Sequence, residues 1–297
     1  MTAAAEMRNV PDVPVDARHR RRAWLAAFRS PSGIIGLVLM LVVVVLALMS
    51  VFGLTRYSYA QQNVALSLQG PNGAHWFGTD QFGRDIFSRV AGGLADSLRI
   101  AVVSVAASAV AGVAMGTLAG YYQGVADRVV GVITNVLFAF PSLLLALALA
   151  ATLQSSWVTV SIAIAVVFVP IFARVARGPV LTLRTADYVL ASAAIGRGRL
   201  STLAGHILPN MGGILVVQVT LSLSWAILTE AALSFLGFGA PPPAPSLGGM
   251  VFDAQSLAAV APWMLIFPGA ALVVAVVGLN LLGDSLRAAL DPKAGGR

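Results

Sequence analysis

The chain has 297 residues, of which 58% are hydrophobic and only 10% charged, and its mean hydropathy is +0.86. A soluble domain carries about 25% charged residues, so the composition excludes a soluble globular protein and defines an integral membrane one. The absence of cysteine excludes disulfides and thiolate chemistry, and the net charge of +7 is read as membrane topology and lipid contact, not nucleic-acid binding.

Residues 1–33 form a basic segment with RHRRR at Arg18 to Arg22, expected in the cytoplasm as an orientation signal and lipid headgroup anchor. Ile34 to Leu54 follow as 21 residues without a charge. That exceeds the roughly 7–15-residue apolar core of a signal peptide, so an uncleaved first span over 34–54 is expected. Residues 55–97 are expected as an extracytoplasmic loop containing HWFGTDQFGRDIFSR, His75 to Arg89. Trp76 and Phe77 suit the membrane interface, and Asp80, Arg84, Asp85 and Arg89 are expected to form local ion pairs, which stabilise little when exposed. The first reading of this stretch is a folded outer loop.

Residues 98–285 are expected to hold five more helices. The second span, about Leu98 to Tyr121, is rich in Ala, Val, Gly and Ser, which let helices approach closely where packing replaces the hydrophobic effect. A third, about Val129 to Leu153, contains Pro141 as an expected kink, and a fourth, about Val158 to Ala176, contains Pro170.

Residues 178–212 interrupt the apolar pattern with a basic insertion, DYVLASAAIGRGRLSTLAGHILPN, Asp187 to Asn210. Its Ala-rich first half, opening on the acidic Asp187, predicts a helix to Ile195. Gly196 and Gly198 are expected to stop that helix through positive φ, and Pro209 to end a second one over Leu200 to Leu208. Arg184, Arg197, Arg199 and His206 are expected to face water. A helix–Gly–helix knuckle on a mostly lipid-soluble chain suits contact with a soluble partner.

The fifth span, about Gly213 to Phe235, carries Glu230, the only acidic residue well within any span. An intramembrane carboxylate is a functional candidate, placed here near the outer, water-accessible end. Two readings stand: contact with the transported substrate, or a hydrogen bond that positions the following LSFLGFG. Leu236 to Gln255 are a Pro/Gly loop that excludes a long helix. The sixth span, about Ala259 to Leu282, precedes a cytoplasmic tail over 286–297. Six spans put both termini on one side. Of the 19 Lys and Arg residues, 15 fall on that side with the knuckle and four (Arg56, Arg84, Arg89 and Arg99) on the other, which places both termini in the cytoplasm.

No Ser/His pairing or metal-ligand set converges on the spans, and His19, His75 and His206 are scattered, so neither catalytic nor metal residues are expected. A stand-alone secondary transporter would need ionisable relay residues deep in the spans, and Glu230 alone is available. The chain also has no GxxxxGK[ST] phosphate loop.

Ala191, Gly196, Leu208 and Pro209 resemble the EAA-type loop of bacterial ABC-importer permeases. Three stretches make the likeness specific: FGTDQFGRDIFSRVAGGLADSLRI (Phe77 to Ile100), GHILPN (Gly205 to Asn210) and EAALSFLGFGAPPPAPSLGGM (Glu230 to Met250). They are similar to the second, C-type, permease subunit of the dipeptide/oligopeptide/nickel importers. Leu190 stands where that family carries its Glu, and Ser192 replaces the second Ala, which leaves Asp187 and the neighbouring arginines as candidates for docking.

The resemblance implies an all-α, type I ABC importer-like fold of six transmembrane helices with a cytoplasmic coupling loop, in the bacterial inner membrane. It also implies a heterodimer with a B-type permease, one or two ATPase subunits that hydrolyse Mg-ATP, and an extracytoplasmic substrate-binding protein. The coupling residues would be Asp187, Ala191, Ser192, Gly196, Arg197, Arg199, His206, Leu208 and Pro209. Di- and oligopeptides are the expected cargo; nickel or another small solute is the alternative within the family.

Overall fold

The computed structural model describes residues 30–152 and 154–290; the RHRRR segment lies outside them. Among the described residues the fold is helical, with no strand. Five helices are long and apolar enough to cross a membrane, and a bent pair makes a sixth if taken as one span.

Helix α1 (Pro31–Val51) starts at an N-cap Ser30, whose hydroxyl accepts from Gly33 N at 3.1 Å, with Pro31 in the first turn where its missing N–H is not needed. It begins slightly before the expected Ile34. After an extended segment, α2 (Ile86–Tyr122) runs for 37 residues, about 55 Å at 1.5 Å per residue. That exceeds a hydrocarbon layer of about 30 Å, so its first turns project beyond it. The helix thus takes in the last twelve residues of the expected loop, 86–97.

The expected third span is broken, not kinked. Helices α3 (Gly124–Ala139) and α4 (Ser142–Thr152) meet at 91°, with Phe140 extended ahead of Pro141. A proline pushes the residue before it out of the helical region, and here the chain turns a corner instead of bending. Helix α5 (Trp157–Leu183) carries Pro170 and Pro179 and extends past Gly178. The knuckle follows as α6 (Asp187–Ala194) and α7 (Arg199–Thr202), then α8 (Leu208–Phe235), α9 (Leu247–Ala254) and α10 (Trp263–Leu290). Helix α10 carries most of the expected tail start in helical form.

Glycine draws the helices together. A Cβ on Gly116 would fall onto Ala173 O, and one on Gly120 would lie 3.0 Å from Arg177 O, so α2 and α5 pack backbone to backbone. On the other side of the bundle, a Cβ on Gly36 would lie 2.9 Å from Leu282 N of α10. Such contacts hold helices where lipid gives no hydrophobic drive.

The end of the bundle opposite the knuckle differs from expectation in one respect. Asp80, Arg84, Asp85 and Arg89 are not exposed pairs but buried, each under a tenth accessible. His75 Nδ1 lies 2.9 Å from Asp85 Oδ1 and its ring stacks on Tyr57, while Trp263 Nε1 donates to Thr79 O at 3.1 Å. Phe77 stacks on Phe267 at 4.0 Å between ring centroids. These contacts dock the loop onto α10 and bring its charges inside.

Candidate functional site

The knuckle begins where α5 ends. Arg184 caps that helix and sends Nη1 to Tyr121 O at 3.3 Å, so it bridges to α2 instead of standing free in water. Helix α6 then starts at Asp187, whose exposed carboxylate suits the positive end of the helix dipole. Gly196 stops it with φ +77°, a left-handed conformation that costs other residues about 1–2 kcal/mol. Arg197 N returns to Ser192 O at 3.2 Å, closing the loop typical of a glycine-ended helix. Gly198 departs from expectation: it is the N-cap of α7 with φ −62°, ordinary extended geometry.

Pro209 does not end the second helix. The chain passes from α7 through a wider, π-type turn (Leu203–Ile207) directly into α8, so that Arg199–Phe235 is one continuous helical run. Proline is tolerated in the first turn of a helix segment, and the wider turn before it relaxes the fixed hydrogen-bond ladder that proline would otherwise break. The knuckle is therefore one short helix folded back against the extended foot of a spanning helix.

A small separate core fixes this arrangement. Val189 of α6, Leu203 and Ile207 of the π turn, Met211 of α8, and Ala176 and Val180 of α5 are all buried together. Ser192, in the place where the family has Ala, is buried with its Oγ 3.3 Å from Thr202 Oγ1, tying α6 to α7. Arg197 donates Nε to Ser201 Oγ at 2.8 Å and Nη1 to His206 Nε2 at 2.9 Å. Guanidinium only donates, so Nε2 of His206 is the acceptor in this contact. Asn210 Nδ2 donates to Tyr188 OH at 3.1 Å and to His206 O at 2.8 Å. Arg199 lies over the Tyr122 ring at 5.7 Å.

The predicted residues therefore divide into two groups. Ser192 and His206, with Leu208 behind them, face inward or are engaged in the element. Asp187, Ala191, Gly196, Arg197, Arg199 and Pro209 are exposed. Beside them stand exposed apolar side chains: Leu190, in the place of the family's Glu, is 53% accessible, and Leu200 at 68% and Ile195 at 83% were not singled out from the sequence. Exposed apolar groups interspersed with exposed arginines have the composition of a contact surface. Sequence reasoning also missed the bidentate pair of Arg177 with Asp127, at 2.5 and 2.7 Å, which ties α5 to α3 close to the knuckle.

Glu230 lies apart from the knuckle and is enclosed, hydrogen-bonded into the following LSFLGFG as the second of the two readings expects. It is 1% accessible, with Oε2 accepting from Ser97 Oγ and Oε1 from Ser234 Oγ, both at 2.6 Å. The water-accessible placement is thus corrected. Ser97 on α2 and Ser234 on α8 satisfy both oxygens and make Glu230 a clasp between two helices. Ser234, not Glu230, lines the neighbouring cavity.

These helices and their knuckle define a polytopic membrane component with one rigid polar projection. The family described as binding-protein-dependent transport system inner membrane component matches residues 112–296. The dipeptide transport system permease protein DppC of Alkalihalophilus pseudofirmus is 41% identical over 274 residues, covering 91% of this chain and 90% of that relative. The glutathione transport system permease protein GsiD of Pectobacterium atrosepticum is 44% identical over 225 residues, covering 76% and 75%. The chain belongs to this family, as a C-type permease subunit of an ABC importer in the inner membrane. Such subunits act with a separate ATPase, a binding protein and a second permease.

Proposed function

We propose that this chain forms half of the translocation path of an ATP-driven importer of di- and oligopeptides, and that its knuckle is the coupling element seated on a cytoplasmic ATPase. Both termini are then cytoplasmic, and the loop docked on α10 faces outward. The partners are a B-type permease, one or two ATPases that bind and hydrolyse Mg-ATP, and an extracytoplasmic binding protein that delivers the peptide. The chain itself performs no catalysis.

The observation that carries this reading is the knuckle's construction: a private core that makes it move as one body with α5 and α8, and an outer face of Leu190, Ile195, Arg197 and Arg199 left for a partner. Two packings of rigid elements are what an alternating-access cycle requires. Peptide as cargo is supported by the relatives, one named for dipeptides and one for glutathione. The secondary-transporter reading loses its one relay candidate, because Glu230 is enclosed by serines.

The test is uptake. Purified with its partner subunits and placed in vesicles, the complex takes up radiolabelled dialanine when ATP and the loaded binding protein are supplied, and not with a non-hydrolysable analogue. Uptake driven by an ion gradient alone, without ATP, would overturn the proposal.

A further inference from the structure

The outward end of the molecule holds a polar assembly that the coupling mechanism does not use. Asp80 Oδ1 accepts from Phe82 N at 2.9 Å and Arg84 N at 3.0 Å, which fixes the carboxylate in its turn. Its other oxygen, Oδ2, is shared by two guanidiniums: Arg84 Nε at 2.6 Å and Arg89 Nε at 3.6 Å. Two buried cations thus divide a single carboxylate oxygen. Arg89 Nη1 meets no hydrogen-bond partner among the described residues although it is fully shielded. An orphaned charged donor costs at least about 1–3 kcal/mol, so a buried one calls for an explanation.

A cavity of about 570 Å³ opens beside it. Arg84, Arg89, Asp253 of α9 and the Pro241–Pro243 run all line it. Asp253 forms no ion pair with either arginine, and burial pushes its carboxyl above the ordinary range against the pull of both. Arg84 Cζ also lies over the Phe82 ring, 4.6 Å from its centre. The cavity is therefore lined by two guanidiniums held by Asp80 and by a carboxylate that is ion-paired with neither.

We infer that this cavity is a subsite for a small zwitterionic peptide, with the peptide carboxylate received by Arg84 and Arg89 and its ammonium directed to Asp253. The substrate class rests on the peptide-import reading; the inference adds where this chain holds the peptide. A bare metal cation would be repelled by two guanidiniums, and a simple anion would face Asp253 as a like charge. An extended dipeptide spans roughly 7 Å and carries both charges at its ends. Guanidinium suits a carboxylate because its fork pairs with both oxygens.

The experiment uses the assembled permease–ATPase complex in lipid nanodiscs without binding protein, titrated with Ala-Ala and with N-acetyl-Ala-Ala by saturation-transfer NMR. Arg89→Gln is expected to weaken both ligands about tenfold, and Arg89→Lys to recover part of the loss. Asp253→Asn should weaken Ala-Ala about fivefold and leave N-acetyl-Ala-Ala unchanged. That second variant sits at a partly exposed position, so it decides the question even if Arg89→Gln fails to assemble. Ala-Ala binding that is absent in the wild type, or indifferent to both substitutions, overturns the subsite. So does a loss of binding-protein docking in the variants with Ala-Ala affinity intact, which would give the arginines to a protein carboxylate. ATP-driven Ala-Ala uptake by the wild type separates the two claims. Uptake with variant-insensitive binding removes the subsite alone, whereas no uptake and no binding removes both.

Discussion

The two polar ends of this molecule treat charge in opposite ways. At the knuckle, Arg197 and Arg199 are exposed beside uncovered Leu190, Ile195 and Leu200, while among the described residues the buried groups are apolar or small hydroxyls. At the loop end, Asp80, Arg84, Asp85 and Arg89 are drawn inside, and stacked rings, Tyr57 on His75 and Phe77 on Phe267, hold the loop in place. Water solvates an exposed charge at no structural cost, but a buried one must be paired or completed by a ligand. One end is thus organised as a surface to be covered, the other as a preset polar interior. Helices α2 and α5, packed backbone to backbone through Gly116 and Gly120, join them into one body.

The sharpest way to break this contrast is to remove a charge at each end. Asp80→Asn leaves Arg84 and Arg89 without their anion, and losing one partner of a buried pair costs about 3–5 kcal/mol; thermal unfolding of the purified complex should register it as a large drop in Tm. Next in size is Glu230→Gln. Its amide nitrogen cannot accept from a serine hydroxyl, so one of the two charge-assisted bonds must reverse, which costs about 1–3 kcal/mol. Because Glu230 clasps helices, Tm falls while uptake per folded complex stays within about twofold; a complete loss of uptake at unchanged Tm would return it to the translocation path.

At the knuckle the expected effects on stability are smaller. Gly196→Ala forces a side chain into the left-handed region and costs about 1 kcal/mol, seen as faster amide exchange in α6 and a severalfold weaker coupling of hydrolysis to transport. Arg199→Gln should change stability by less than about 0.5 kcal/mol yet weaken ATPase association in a pull-down. If Arg199→Gln destabilises as much as Asp80→Asn, the distinction between the two ends is wrong.

Much of this was legible in the sequence, for reasons that particular residues make plain. Charge-free apolar runs placed the spanning helices because a bilayer tolerates little else, and Gly196 announced the end of α6 because its φ is closed to other residues. Pro209 misled because a proline in a helix's first turn breaks nothing, and a π turn just before it makes room. Pro141 was read as a kink, but the 91° corner there depends on what α4 packs against, which no local rule contains. The loop-end charges looked exposed since nothing in HWFGTDQFGRDIFSR tells that Trp263 and Phe267, far along the chain, dock the loop at Thr79 and Phe77. Glu230 looked wet for the same reason: Ser97 lies 133 positions away. Local chemistry was readable; distant partners were not.

The most direct test of the proposed coupling permutes the exposed residues among positions 190–201 and leaves Val189, Ser192, Leu203 and Ile207 in place. ATP hydrolysis by the assembled complex is then measured with and without peptide-loaded binding protein. The account predicts a complex that still assembles and hydrolyses ATP at its basal rate but no longer responds to the loaded binding protein. Full stimulation with the permuted surface would contradict it, and the knuckle would be only a connection between α5 and α8.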